Sequence, residues 1–261
     1  MVAMRLALGV EYHGGSFCGW QRQKNQTTIQ ETLENSLSRV ADHSVKTICA
    51  GRTDTGVHAL GQVVHFDTDK NRPRHAWLIG TNTYLPKTIS LKWVRVVDED
   101  FHARFSAQAR TYQYFIHNVP THSALTAGNA TWYRYSLDVT LMQRAAQYLL
   151  GEHDFSSFRS SQCESHSPVR LIEVISVRRL GQFIVIEVTA NAFLHHMVRN
   201  IVGSLLRVGS GRASVTWMKD ILLARDRRIA AETAEPDGLY LYQVRYSNRY
   251  DFPLAASRWL P

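Results

Sequence analysis

The sequence predicts an α+β fold built twice, one α/β subdomain after the other. Three observations predict it. Alternating or β-branched runs recur along the whole chain, amphipathic helical stretches lie between them, and 261 residues are enough for two domains of roughly 100 to 150 residues each.

In the first half, strands are expected at Met4 to Tyr12, Val45 to Cys49, Gln62 to Asp67 and Leu91 to Val97, with helices between them. The clearest helix opens with Thr28-Ile29-Gln30-Glu31, a capping box in which each polar side chain satisfies an amide of the first turn. It continues with Ile29, Leu33, Leu37 and Val40 along one stripe, the face that packs on a sheet. The second half repeats the theme. Strands are expected at Arg110 to His117, Leu171 to Arg179, Gln182 to Ala190 and Leu239 to Tyr246, the middle pair joined by a tight turn at Leu180-Gly181. One helix runs from an Asp138 cap through Leu141, Ala145 and Leu149 to a stop at Gly151; a second covers Phe193 to Arg207 and a third Val215 to Ala224. No linker is rich in Pro, Gly or Ser. The pattern of elements alone divides the chain into an N-terminal domain, 1–104, and a C-terminal domain, 105–261, with an extended interface expected between them.

Composition narrows the function classes. Hydrophobic residues make up 44% and charged residues 20% of the chain, the balance of a globular protein. The stretch MVAMRLALGVEYHGG has no basic region followed by a long apolar segment, and no run reaches the ~18 apolar residues of a membrane span, so a soluble, unexported protein is expected. Cys18, Cys49 and Cys163 are odd in number and far apart; they argue against a disulfide framework and a cysteine zinc site and fit a reducing cytoplasm. Thirty Lys plus Arg against 22 Asp plus Glu give a net charge of +8 and a pI near 9.6. That excess favours polyanionic partners, nucleic acid first, although it also serves plain solubility. Arg22 and Lys24 beside Trp20, Arg207 and Arg212 around a glycine bend, and the group Arg225, Arg227 and Arg228 are the places where phosphates would be tracked.

One loop carries the chemistry. CAGRTDTGVHA, Cys49 to Ala59, joins two expected strands and sets Asp54 two residues after Arg52. An isolated Asp with Gly56 beside it also reads as an ordinary turn. As a nucleophile it would need a cation to hold it ionised, either Arg52 or an arginine from elsewhere. The helix at Phe193 to Arg207 offers one: its apolar side, Leu194, Met197, Val198, Ile201 and Leu205, leaves a polar side with His195, Arg199 and Gly203, which equally reads as a solvated face. His195 and His196 point about 100° apart on a helix and lack a third ligand at zincin spacing, so no metal is expected. Asp54-Thr55-Gly56 also spells the D-T-G of aspartic proteases. Only one copy exists, and Arg52 and Thr53 stand where apolar residues would precede the Asp, leaving a dimeric protease as a minor alternative. A glycosidase would need a second carboxylate in comparable context.

Five segments in order, GVEYHGGSFCGWQRQ, AGRTDTGVHALGQVVHF, DFHARFSAQARTYQYFI, NAFLHHMVRNIVGSLLRVG and GLYL, give the chain its resemblance to the tRNA pseudouridine synthase A family over nearly its whole length. The resemblance implies a pseudouridine synthase-like fold, with the two sheets joined into an extended sheet and the active-site cleft between the subdomains. It implies that Asp54 is the catalytic carboxylate, that Arg52 helps hold a flipped nucleotide, and that Tyr112 stacks on the target uracil as a candidate general base. It further implies that Arg199 pairs with Asp54, that Gly203 lets the helix approach, and that Leu239 lines the pocket. The substrates would be uridines 38 to 40 of the tRNA anticodon arm, the working form a homodimer, the location the cytoplasm, and no cofactor would be required. A free phenol titrates near ~10, so Tyr112 would need help to act as a base at pH 7. The resembled pattern has Asp where His13 stands and Ala where Thr55 stands, and neither change removes a catalytic group. A non-catalytic RNA-binding protein on the same fold is the other class to weigh.

Overall fold

The computed structural model describes residues 4–163 and 165–254; the outer ends of the expected 1–104 and 105–261 division lie outside them. The chain forms two compact units, one from the described residues of Met1–Gln108 and Tyr240–Leu260, the other from Ala109–Leu239. The last strand thus returns to the first unit.

In the first unit, β1 (Met4–Tyr12), β2 (Ile48–Cys49), β3 (His58–Thr68), β4 (Ile89–Val97) and, from Tyr240 on, β10, numbered last in chain order (Leu239–Arg245), are packed by α1 (Ile29–Ala41) and α2 (Arg74–Tyr84). β1 lies between β4 and β3, antiparallel to both, with Leu8 opposite Val64 and Val94. Tyr240 and Leu241 pair in parallel with His58 and Ala59. Thr28 caps α1 by accepting from the Glu31 amide, as the capping box predicts. The buried stripe Ile29, Leu33 and Leu37 covers the sheet, and Trp77 meets Phe66 edge-on at 5.5 Å.

Two boundaries differ from the sequence reading. The strand expected at Val45 to Cys49 is only Ile48–Cys49, because α1 takes the earlier amides: Ser38 Oγ accepts from Val45 N at 2.9 Å and Glu34 Oε1 from Thr47 N at 2.8 Å. The next strand starts at His58 rather than Gln62, since both β1 and β10 pair with its first residues. α2 follows Pro73, whose side chain offers no capping oxygen.

The second unit has β5 (Ala109–His117), β6 (Thr131–Trp132), β7 (Gly151–Asp154), β8 (Val169–Leu180) and β9 (Phe183–Ala190), with α3 (Val139–Ala146), α4 (Met197–Gly209) and α5 (Trp217–Ala224). The order β5-β9-β8-β7 is antiparallel throughout. β8 and β9 form a hairpin turning at Gly181 and Gln182. Asp138 caps α3 by accepting from Leu141 N at 3.0 Å; the helix ends at Ala146 in a short 3-10 turn, and Gly151 begins β7 instead of stopping the helix. The helix expected at Phe193 to Arg207 starts only at Met197. His196 sits in the left-handed region at φ 62° and cannot continue a right-handed turn.

Candidate functional site

The backbone around Asp54 is fixed from both sides. Upstream, Ala50 N donates to Val63 O at 2.8 Å and Gln62 Nε2 to Gly51 O at 2.6 Å. Thr53 is buried; its hydroxyl lies 2.7 Å from the Tyr12 phenol and its carbonyl accepts from Trp20 N at 2.9 Å. Downstream, Val57 N closes a turn on Asp54 O at 3.1 Å, with Gly56 at φ +81°. His58 Nδ1 accepts from Gly14 N at 2.9 Å, and its buried ring lies between His13 at 4.4 Å and Tyr240 at 4.5 Å. A Cβ on Gly14 would fall 1.9 Å from Val57 O, so the 13–19 segment seats against this loop only with glycine there. Between these anchors Asp54 is half-buried, while Arg52 and Thr55 are exposed. Such a mount holds a side chain in place without closing it off from a substrate.

In the second unit, Tyr112 on β5 is 8% exposed and stands opposite Val188, its ring edge-on to Phe193 at 5.0 Å. Two residues on, Tyr114 shares its face; its hydroxyl lies 2.6 Å from Thr131 Oγ1 and donates to Glu235 O at 2.8 Å. Burial pushes the Tyr114 phenol well above its usual range, so this tyrosine stays protonated.

Arg199, in the first turn of α4, is bound to the segment at 232–234. Its Nε donates to Ala234 O at 2.7 Å and its carbonyl accepts from Ala234 N at 3.1 Å. The neighbouring Asn200 is wholly buried: Nδ2 donates to Phe158 O at 2.7 Å, and Oδ1 accepts from Thr233 Oγ1 at 2.6 Å and from an Arg227 amine at 3.1 Å. The expectation that Gly203 lets the helix approach is met by a different neighbour. A Cβ on Gly203 would lie 1.9 Å from Glu232 O, so it is the 232–234 segment that comes close. His195 precedes the helix and is not on its polar face; its carbonyl accepts from Ser160 N, and its ring lies 4.0 Å from His196. Leu239 is buried at the start of β10.

The sequence named Asp54 and Arg52 in one unit and Tyr112, Arg199 and Leu239 in the other. It missed the supporting groups Tyr12, Thr53, His58 and Asn200. The one available signal for these was an amide side chain, Asn200, within an otherwise apolar helix stripe. Among the described residues no helix is long and apolar enough to cross a membrane.

The model of a family described as tRNA pseudouridine synthase matches residues 3–106 and 145–247. A protein of Colwellia psychrerythraea named tRNA pseudouridine synthase A is 53% identical over 250 residues, 96% of each chain. Proteins of the same name from Histophilus somni, 54% identical over 96% of this chain and 93% of that one, and from Paraburkholderia phytofirmans, 51% identical over 98% and 95%, are similar to it over the same extent. Among solved structures, an archaeal box H/ACA sRNP Nop10-Cbf5 complex covers 90% of this chain and 47% of that one at 11% identity with a TM-score of 0.37, a likeness too weak to build on.

Proposed function

The chain belongs to the tRNA pseudouridine synthase family and isomerises uridine in tRNA, and we propose that it acts at uridines 38 to 40 of the anticodon arm with Asp54 as nucleophile. In the reaction the N1–C1′ bond breaks, the uracil turns while held, C5 joins C1′, and the C5 proton leaves to a base as N1 gains one. The atoms balance without an oxidant, a reductant or a second substrate. Asp54 attacks C1′ of the ribose or C6 of the base. Tyr112 stacks on the flipped uracil and is the candidate for the C5 base, Arg199 is the cation that serves the carboxylate, Arg52 holds the flipped nucleotide, and Leu239 lines the pocket. Flipping costs a few kcal/mol of stacking, which these surfaces offset.

The observation that carries the reading is the half-buried Asp54 at a turn whose backbone is bonded on both sides. The basic balance of the chain supports tRNA recognition through phosphates and shape. We place the working form as a cytoplasmic homodimer. No observation favours a non-catalytic RNA-binding role or a D-T-G protease. The test is chemical mapping of pseudouridine in tRNA transcripts carrying uridine singly at 38, 39 or 40. Conversion at those positions is expected, and modification confined to other uridines would refute the assignment.

A further inference from the structure

We propose that Phe105 and Arg104 form a stacking platform for a nucleotide of the substrate RNA on the sheet that carries the Asp54 loop, an inference that rests on the tRNA-modifying reading above. Phe105 is 75% exposed, yet its ring is not loose. One face stacks on His102 at 4.3 Å and 26°. The His102 Nδ1 accepts from the amides of Arg104 and Phe105 at 3.2 and 3.1 Å, and Ser106 N returns to His102 O at 2.8 Å. This knuckle is bolted to the sheet: Ala103 N donates to the buried His65 Nδ1 at 3.1 Å, and the Tyr246 hydroxyl donates to Ala103 O at 2.6 Å. His65 meets His102 edge-on at 4.9 Å. Three rings therefore lead from β3 out to an exposed phenyl group.

The column stands on the strand pair that leads to the catalytic loop. His65 is in register with Ile48 of β2, and β2 runs at Ala50 straight into the segment that carries Asp54. Burial pushes the Cys49 thiol to about 12 while the exposed Arg52 and Arg104 guanidiniums both pull it down. The Arg104 guanidinium lies 5.5 Å over the Phe105 ring, and in the proposed complex it turns to the phosphate as the base takes that face. Burial, and then the Arg5 guanidinium, hold both imidazoles below the ordinary histidine range, His65 at about 4, leaving neutral rings beneath the phenyl group.

A nucleobase with its phosphate matches that pattern, through stacking and through pairing with arginine. A second copy of the chain would bring its own arginines to a patch of one ring, with repulsion and little apolar area to gain.

The experiment uses the full chain with Asp54→Asn, so that an unmodified tRNA transcript is bound without turnover, over one salt series in which all variants are compared at the same concentrations. Phe105→Leu is expected to weaken binding about tenfold, Phe105→Trp to stay within about threefold, and Arg104→Gln to weaken binding and flatten its salt dependence. The melting temperature should hold, since the ring is exposed. Equal binding by Phe105→Leu, or equal loss in Phe105→Trp, overturns the platform while leaving the functional reading intact. A change of oligomeric state in RNA-free Phe105→Leu assigns the ring to a protein interface and overturns it too. No tRNA binding by the Asp54→Asn protein itself overturns both readings.

Discussion

The seat of Asp54 and the seat of Arg199 are built differently. Asp54 sits on a short loop between strands, held by near neighbours: the backbone of β3, the Tyr12 hydroxyl, and a 13–19 segment that touches it through Gly14. Arg199 sits on a helix, and its side chain is oriented by a segment more than thirty residues downstream, Ala234, which is itself tied to the helix by the buried Asn200 and Arg227. The first seat depends on close packing of backbone, and the second adds to a close approach at Gly203 a set of satisfied polar groups around the buried Asn200. Overpacking should therefore break both, and loss of a hydrogen-bond partner the second more readily.

The largest stability effects are expected at the glycines, because each added methyl must displace a carbonyl. Gly14→Ala and Gly203→Ala should each cost about 3 kcal/mol in urea unfolding, and a loss under about 1 kcal/mol at either would mean that the close approach is soft. Asn200→Ala comes next. It takes the donor from the buried Phe158 carbonyl and the acceptor shared by Thr233 and Arg227 and should cost about 2 to 3 kcal/mol, whereas Thr53→Val, which removes a single buried hydroxyl contact, should cost about 1 kcal/mol. A reversed order would collapse the distinction between the two seats.

A pH dependence tests the first unit separately. Burial, with Arg5 and His102 adding to it and Asp67 opposing, lowers His65 to about 4. The unfolded chain, with an ordinary histidine near ~6.5, therefore binds more protons than the folded one between these values. Stability from this group is complete above about pH 6.5 and is lost as the pH falls toward 4, about 2 kcal/mol between pH 7 and pH 5. His65→Gln should remove most of that slope. The smallest effect belongs to the α1 cap, where Thr28→Ala should cost about 1 kcal/mol and leave both seats unaltered.

The sequence was most legible where local chemistry decides. The caps at Thr28 and Asp138, the hairpin at Gly181 and the strand Met4–Tyr12 follow from side-chain oxygens, turn residues and period-two patterning. It was least legible where tertiary partners override propensity. Glu34 and Ser38 take amides that Val45 and Thr47 would have used in a strand, and the left-handed His196 delays α4 by four residues. For the site, the Arg52 and Asp54 spacing and Arg199 on the polar side of its helix were visible, and the resemblance supplied Tyr112, Leu239 and the pairing of Arg199 with Asp54. Thr53 and His58 were hidden because a buried polar residue leaves no mark in a linear pattern until its partner, here Tyr12 or Gly14, is folded beside it, and Asn200 interrupted an apolar stripe without showing its partner Thr233.

The most direct measurement is tritium release from tRNA labelled with [5-³H]uridine, by the wild type and by Asp54→Asn, with tRNA binding of both measured in parallel. Release by the wild type, a fall of more than about a thousandfold in the variant, and retained binding are expected if Asp54 is the nucleophile. Release by Asp54→Asn within about tenfold of wild type would contradict that role.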